Sequence, residues 1–302
     1  MASLICGSLA FDTIMSFEGR FAEQILPDQL HILNVSFLVP ALRRDFGGCA
    51  GNIAYALRQL GGTPLPMATL GNDGDGYRQR LRELGISDEF VLGIEDTYTA
   101  QAMIMTDRDN NQITAFHPGA MMQAHRSRIA ARDDIRLGIL APDGRDAMLQ
   151  HAEQFHAAGI PFVFDPGQGL PMFNGDELAH FVDLATWVTV NDYEGRMLCD
   201  RMGIGLDELS RRVQGLVVTL GGEGCELWEN GVRTHVPGVQ ATEVVDPTGC
   251  GDAWRGALLY GLEQGWPLAR CAALGHRMGA LKIASRGPQS YAVDAASVLA
   301  GI

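Results

Sequence analysis

The sequence predicts an α/β fold built on a mostly parallel sheet, and two observations carry that expectation. Strand-like runs at 136–140, 160–164, 186–190 and 215–220 alternate with helical stretches at 144–157, 175–183 and 192–202. That alternation is the mark of successive βαβ units. The chain is 302 residues long with 46% hydrophobic residues, enough for one large core in a single domain, 1–302.

The remaining elements follow in order. Residues 2–10 (ASLICGSLA) read as a buried first strand ending at a glycine turn. Residues 50–60 have helical apolar spacing and are closed by Gly61 and Gly62. Residues 65–70 suit a short strand and 74–84 a helix, while 99–105 and 111–116 flank the turn Asp107–Asn110 as a hairpin. A second hairpin spans 224–237 around Asn230–Gly231, and two helices close the chain at 251–263 and 267–284. The segments 14–45 and 97–118 interrupt the rhythm. They are expected to form a small β-sheet that covers the site; a sheet extension or a dimer contact is the plainer reading, and the two are compatible.

Composition excludes several classes. The formal charge is −13, which argues against general binding to nucleic acid or anionic membrane. A phosphorylated ligand stays open, because a helix N-terminus holds phosphate through its N–H groups. Lys282 is the only lysine among the 23 basic residues, so GxxxxGK[ST] and VAIK-type sites are absent. Genome composition is the plain explanation of that arginine bias. The six cysteines form no CxxC pair, and no GxGxxG supports a nicotinamide-dependent dehydrogenase. Residues 1–17 lack a basic leader, and no run of 18 uncharged apolar residues occurs. The expectation is a soluble, cytoplasmic, disulfide-free protein.

The most informative run is Val244-Val245-Asp246-Pro247-Thr248-Gly249-Cys250-Gly251-Asp252. It reads as an apolar strand ending at Val245, a Gly-rich turn, and a helix beginning near Gly251. Glycines let backbone approach a phosphate, and free N–H groups with the helix dipole attract it. A carboxylate at that point repels phosphate, so Asp252 suits a base that takes the proton from an attacking hydroxyl. A capping Asp in an ordinary βα turn accounts for the same residues.

This run resembles the DTxGAGD signature of the ribokinase/PfkB carbohydrate kinase family, with Pro247 and Cys250 as departures. The resemblance implies a ribokinase-like three-layer α/β/α fold with a small β-lid. It implies Asp252 as catalytic base and Gly249, Cys250 and Gly251 as the anion hole. Further motifs match in order over nearly the whole chain. Gly47-Gly48-Cys49-Ala50-Gly51-Asn52 is similar to GGxxxN, and Asp12 fits the diol-binding Asp, which implies Asp12, Gly48 and Asn52 as substrate-binding residues. Gly71–Gly76 is similar to GxDxxG. Asn191 and Glu194 fit NxxE, implying Asn191 at the nucleotide and Glu194 at Mg²⁺ through water; the same pair suits a capping box. Thr219, Gly221 and Gly224 fit the TxGxxG nucleotide loop. Many family members use a monovalent cation, and Asp246 and Thr248 are the positions for K⁺.

Asp12 accepts from two hydroxyls and so suits a ribose diol, with Asp252 facing the 5′-hydroxyl. Phe116–Met121, Asp165–Gln168, Trp254–Gly261 and Gly287–Tyr291 resemble segments of prokaryotic adenosine or nucleoside kinases. Phe116 and Gln168 become substrate-binding candidates, and Phe37, Phe116 and Met121 suit a purine sandwich or ordinary core packing. The expected activity is ATP-dependent phosphorylation of a nucleoside, with Mg²⁺ and a homodimer by analogy. Alternatives are a sugar or sugar-phosphate kinase, for which Arg20, Arg43, Arg44 and Arg108 are the available cations, and a ligand-sensing pseudokinase.

Overall fold

The structure, a computed structural model, describes residues 2–25, 34–300 and 302. The first half runs β1 (Ala2–Cys6), β2 (Ala10–Ser16), α1 (Phe21–Gln24), β3 (Ala41–Gly47), α2 (Cys49–Gln59), β4 (Pro64–Leu70), α3 (Asp75–Glu83), β5 (Val91–Gly93), β6 (Ala100–Thr106) and β7 (Gln112–His117). Then come β8 (Ile135–Leu140), α4 (Arg145–Ala157), β9 (Phe162–Phe164), α5 (Gly175–Leu184), β10 (Trp187–Asn191), α6 (Asp192–Met202), α7 (Leu206–Ser210) and β11 (Gly215–Thr219). The chain closes with β12 (Gly224–Glu229), β13 (Val232–Pro237), α8 (Cys250–Glu263), α9 (Leu268–Ile283) and α10 (Ala295–Leu299).

Among the described residues the strands form two sheets. The larger has the order β13-β12-β11-β10-β9-β8-β1-β4-β5. It is parallel from β11 to β5, and β12 and β13 add an antiparallel edge. Its faces carry separate cores. Leu4, Phe162 and Val188 pack with Phe155 of α4, Phe181 of α5 and Leu198 of α6. Ile5, Val163 and Val217 pack with Ile53 of α2, Leu81 of α3, Leu258 of α8 and Ala272 of α9. Consecutive strand residues point to opposite faces, so Leu4 and Ile5 feed different cores. The result is a three-layer α/β/α sandwich. The smaller sheet has the order β3-β2-β6-β7.

Local chemistry explains several boundaries. The Asn191 side chain caps α6 by accepting the Glu194 N–H at 2.8 Å, and Glu194 accepts the Asn191 N–H at 2.8 Å. Gly203, left-handed at φ 69°, ends that helix. Asn230 and Gly231 have φ of 53° and 77°, the two positive values that a two-residue hairpin turn needs.

Two expectations fail. The apolar run 2–10 is two strands in two sheets: β1 stops at Cys6, and the chain crosses at Gly7–Leu9 into β2. Leu9, Ala10 and Phe11 are as buried as β1, so hydrophobicity carries no signal of the change. No strand ends at Val245. Val244 is 74% exposed, and the N–H groups of Val245 and Asp246 bond the Ile283 carbonyl at the end of α9 instead of a sheet neighbour. Residues 26–33 of the 14–45 segment lie outside the described residues. The short elements β5, α7 and α10 were not expected, being too brief to show periodicity.

Helices α2 and α8 cross closely where Gly256 meets α2. A Cβ there would lie 2.5 Å from the Ala56 Cβ and 2.9 Å from the Ile53 carbonyl oxygen. Gly256→Leu is therefore expected to overpack this crossing and cost roughly 1–3 kcal/mol, read from the urea midpoint.

Candidate active site

The strand order reverses beside β1, whose neighbours are β4 on one side and β8 on the other. Ligands of open α/β sheets bind in the crevice at the carboxyl ends of the strands beside such a switch. Ser8 follows β1 and holds the start of α2 there. Its hydroxyl accepts the Cys49 N–H at 3.2 Å, and its carbonyl accepts the Ala50 N–H at 3.0 Å. Gly48 lies between, at φ 86°, where a Cβ would sit 2.5 Å from the Ser8 carbonyl oxygen. Asp165 follows β9, and Asn191 and Thr219 end β10 and β11 along the same rim.

Helix α8 begins at that rim. Gly249 is left-handed at φ 79° and serves as its N-cap. Cys250 turns its N–H back to the Pro247 carbonyl at 3.2 Å. The N–H groups of Gly249, Gly251 and Asp252 donate to no group among the described residues. They make an anion pocket at the positive end of a helix. Cys250 contributes shape to it more than a donor.

Asp252 stands in this pocket. Its Oδ2 accepts the Asn52 Nδ2–H at 2.8 Å. Burial pushes its pKa up to about 6, against the Asn52 hydrogen bond and Arg255, while Asp165 and Asp12 push further upward. The Asn52 amide is held in turn. Gln289 Nε2 donates to Asn52 Oδ1 at 3.0 Å and to the Tyr77 hydroxyl oxygen at 2.9 Å, and Tyr77 donates to the Gly47 carbonyl at 2.7 Å. Asn52, expected at a substrate hydroxyl, thus contacts the carboxylate of Asp252 directly.

The register of the smaller sheet places Asp45, Asp12, Ala102 and Phe116 in one cross-strand row, on one face. Asp12 and Phe116 stand two strand spacings apart, roughly 10 Å. The Asp12 carboxylate lies against Gly47, where a Cβ would come 2.4 Å from Oδ2. Burial raises its pKa to about 6, Asp45 and Asp246 add to the rise, and Arg43 opposes it. Phe116 is 54% exposed. Phe37 packs edge-on against Phe17 and Phe21 at 5.0 and 5.3 Å, committed to its own cluster. Gln168 is exposed, and no hydrogen bond links it to this group.

A cleft of about 740 Å³ opens beyond the anion pocket. Thr219, Gly221, Gly251, Trp254, Arg255 and His276 are among its walls. Gly224 is not; its φ of 107° starts β12 where a Cβ would meet the Val236 carbonyl oxygen at 2.1 Å. Trp254 Nε1 and His276 Nε2 are buried without a partner, and burial lowers His276 to about 4, so its ring is neutral at pH 7. A second cavity, between 131–136 and 158–161, lies at the amino ends of β8 and β9, away from this chemistry.

Arg255, not singled out among the candidate site residues, crosses the floor. It makes a buried bidentate pair with Asp165 at 2.8 and 3.0 Å, and its Nη2 stands 4.0 Å from Glu194 Oε2. Asn191 and Glu194 are locked together by their capping box, yet Glu194 Oε1 has no partner among the described residues. One free carboxylate oxygen fits an ion held mainly by phosphates and water. Among the described residues no group of three or more His, Cys, Asp or Glu gathers to hold a metal. Asp246 and Thr248 do not fit a bound K⁺. The Asp246 carboxylate accepts the N–H groups of Thr248 at 2.9 Å and Gly287 at 2.8 Å, its carbonyl accepts Lys282 Nζ at 2.7 Å, and Thr248 is exposed.

Residues 21–295 match the model of the pfkB family carbohydrate kinases. The chain belongs to this family. Its sequence is 27% identical to a nucleoside kinase of Methanocaldococcus jannaschii over 293 residues, 96% of this chain and 93% of that one. Its structure is similar to that of Burkholderia thailandensis nucleoside kinase in complex with inosine, with 53% identity, TM-score 0.88, and coverage of 99% and 96%. The complex of that kinase with ADP-inosine gives 55% identity and TM-score 0.86, covering 99% and 94%. As a pfkB member the chain carries the DTxGAGD-like run at the rim, with Pro247 and Cys250 as its two departures. No helix among the described residues is long and apolar enough to cross a membrane.

Arg255→Ala leaves Asp165 buried and unpaired, and should cost roughly 3–5 kcal/mol in urea unfolding. Asp165→Asn added to it should recover part of that loss.

Proposed function

We propose that this protein is an ATP-dependent nucleoside kinase that phosphorylates the 5′-hydroxyl of purine nucleosides, with Asp252 as general base. The observation that carries the nucleoside is the row Asp12–Ala102–Phe116. An acceptor for two ribose hydroxyls stands on the same face as an exposed aromatic ring, and the small Ala102 leaves room between them. A nucleoside presents both a diol for Asp12 and a flat ring for Phe116; a free sugar presents only the first. The two Burkholderia thailandensis complexes support the same reading.

The arginines of the cover disfavour a sugar phosphate. Arg20 pairs with Asp109, Arg43 with Asp45, and Arg44 with Asp73 while stacking on Phe11. The charges of these three are already matched; Arg108, in the Asp107–Asn110 turn, is the one of the four with no ion pair among the described residues.

In the mechanism, Asp12 and the Gly48 N–H hold the ribose diol. The β2-β3-β6-β7 sheet is the lid that excludes water from the reaction. Asp252 accepts the 5′-hydroxyl proton through its free Oδ1, while Asn52 holds Oδ2 and aims the carboxylate. The N–H groups of Gly249, Gly251 and Asp252 stabilise charge on the transferring phosphoryl group. ATP occupies the cleft beside Thr219 and Gly221, with Trp254 and His276 among its walls. Mg²⁺ bound with ATP supplies charge neutralisation at the phosphates, and Glu194 Oε1 is the acceptor offered to its water shell. The reading includes a homodimer, checked by sedimentation velocity, and a role in purine salvage.

The test is ADP production from Mg·ATP with adenosine, inosine, guanosine, cytidine, ribose, fructose and fructose 6-phosphate. Turnover of the purine nucleosides is expected; turnover of the sugars alone would overturn the assignment. Asp252→Asn should lower kcat roughly 10²–10⁴-fold with an unreduced melting temperature. Both Asp12 and Asp252 must be deprotonated and both are raised to about 6, so kcat/KM should fall as pH drops through about 6, more steeply than for one ionisation. A profile flat down to pH 5 would count against a carboxylate base.

A further inference from the structure

Lys282 is the only lysine in the chain. It sits in the last turn of α9 and is fully buried, at 0% exposure. Its ammonium donates to two backbone carbonyls, Asp246 at 2.7 Å and Ser285 at 3.1 Å. Among the described residues no carboxylate forms a salt bridge with it; the Asp246 carboxylate, near enough to interact, faces the N–H groups of Thr248 and Gly287. Burial pulls the Lys282 pKa down, and Asp246 opposes the drop.

A buried cation on backbone carbonyl oxygens is how proteins hold a potassium ion. The Asp246 carbonyl belongs to the turn that forms the anion pocket, and the Ser285 carbonyl to the strip beside it. Asp246 opens the run that ends at Asp252. The strip 282–287 clamps it from the other side, with Ile283 accepting the Val245 and Asp246 N–H groups and Gly287 donating to the Asp246 carboxylate. The residue type is informative. The chain uses arginine for its other 22 basic residues, and a planar guanidinium cannot replace a compact point charge between two carbonyls.

We propose that the Lys282 ammonium is a tethered monovalent cation, standing where the resemblance expects K⁺ and holding the anion-pocket turn in shape, so that the enzyme needs no added K⁺. Lys282 is a positioning residue, because it reaches the phosphoryl group only through the 246–252 backbone. The inference rests on the kinase reading for its rate measurements and on the structure alone for its binding measurement.

The first experiment compares wild type in tetramethylammonium buffer with and without KCl at constant ionic strength, using inosine and Mg·ATP. An unchanged rate is expected; a rate that requires K⁺ overturns the proposal. The second uses Lys282→Ala, which opens the space, and Lys282→Met, which fills it without charge. Both should lose about 10²-fold or more in kcat, as when an anion-hole donor is lost, with the nucleoside KM little changed. K⁺, ammonium or methylammonium should restore Lys282→Ala and leave Lys282→Met slow. An alanine variant that stays fully active without K⁺, or one that folds and is rescued by none of these cations, overturns the proposal.

Melting curves separate the two readings. K⁺ should raise the melting temperature of Lys282→Ala and leave that of wild type unchanged. If that pattern holds while wild type phosphorylates no nucleoside, the substrate assignment fails and the tethered cation stands. If wild type is active but K⁺ stabilises both forms alike, the tethered cation fails and the kinase reading stands.

Discussion

The site depends on one hydrogen bond, from the Asn52 amide to the Asp252 carboxylate, between residues 200 positions apart in the chain. It joins the first turn of α2 to the first turn of α8, so the structure around it works to keep two helix starts in contact. Ser8 pins α2 to the end of β1. The missing side chain at Gly256 lets the two helices approach. Gln289 and Tyr77 prevent the Asn52 amide from rotating, which leaves one oxygen of Asp252 engaged and the other open.

That arrangement gathers negative charge in a protein already at −13. Asp12, Asp45, Asp165, Asp246 and Asp252 surround the place where phosphate must bind. Burial raises the pKa values of Asp12 and Asp252, and the neighbouring carboxylates add to the rise. Three cations offset it at fixed points: Arg255 on Asp165, Arg43 beside Asp45 and Asp246, and Lys282 on the Asp246 carbonyl. Each is tied down before substrate arrives, so the attraction for phosphate comes mainly from N–H groups at the start of α8. Those groups need no reorganisation when the phosphoryl group moves.

The cover sheet solves a different problem. β2 belongs to it, yet follows β1 of the main sheet after only three residues, Gly7–Leu9. Asp12 is thereby carried on the smaller sheet while Asp252 stays on the sandwich. In the proposed mechanism, closing this sheet onto substrate brings the two residues together.

Periodicity in the sequence was enough for the α/β class, for most of the parallel strands and their helices, and for the hairpins, because buried strands and amphipathic helices impose regular spacing on neighbouring residues. The order of the glycine motifs was enough for the family and for the rim of the pocket, because a phosphate-approaching turn tolerates few residues. Other features depend on contacts between distant segments. The Asn52–Asp252 bond, the Arg255–Asp165 pair and the two carbonyls on Lys282 join residues far apart or backbone atoms that every residue possesses, so no local pattern announces them. The same reason explains the apolar run 2–10, read as one strand although it serves two sheets. Hydrophobicity records that a residue is buried, and only the tertiary structure decides against what.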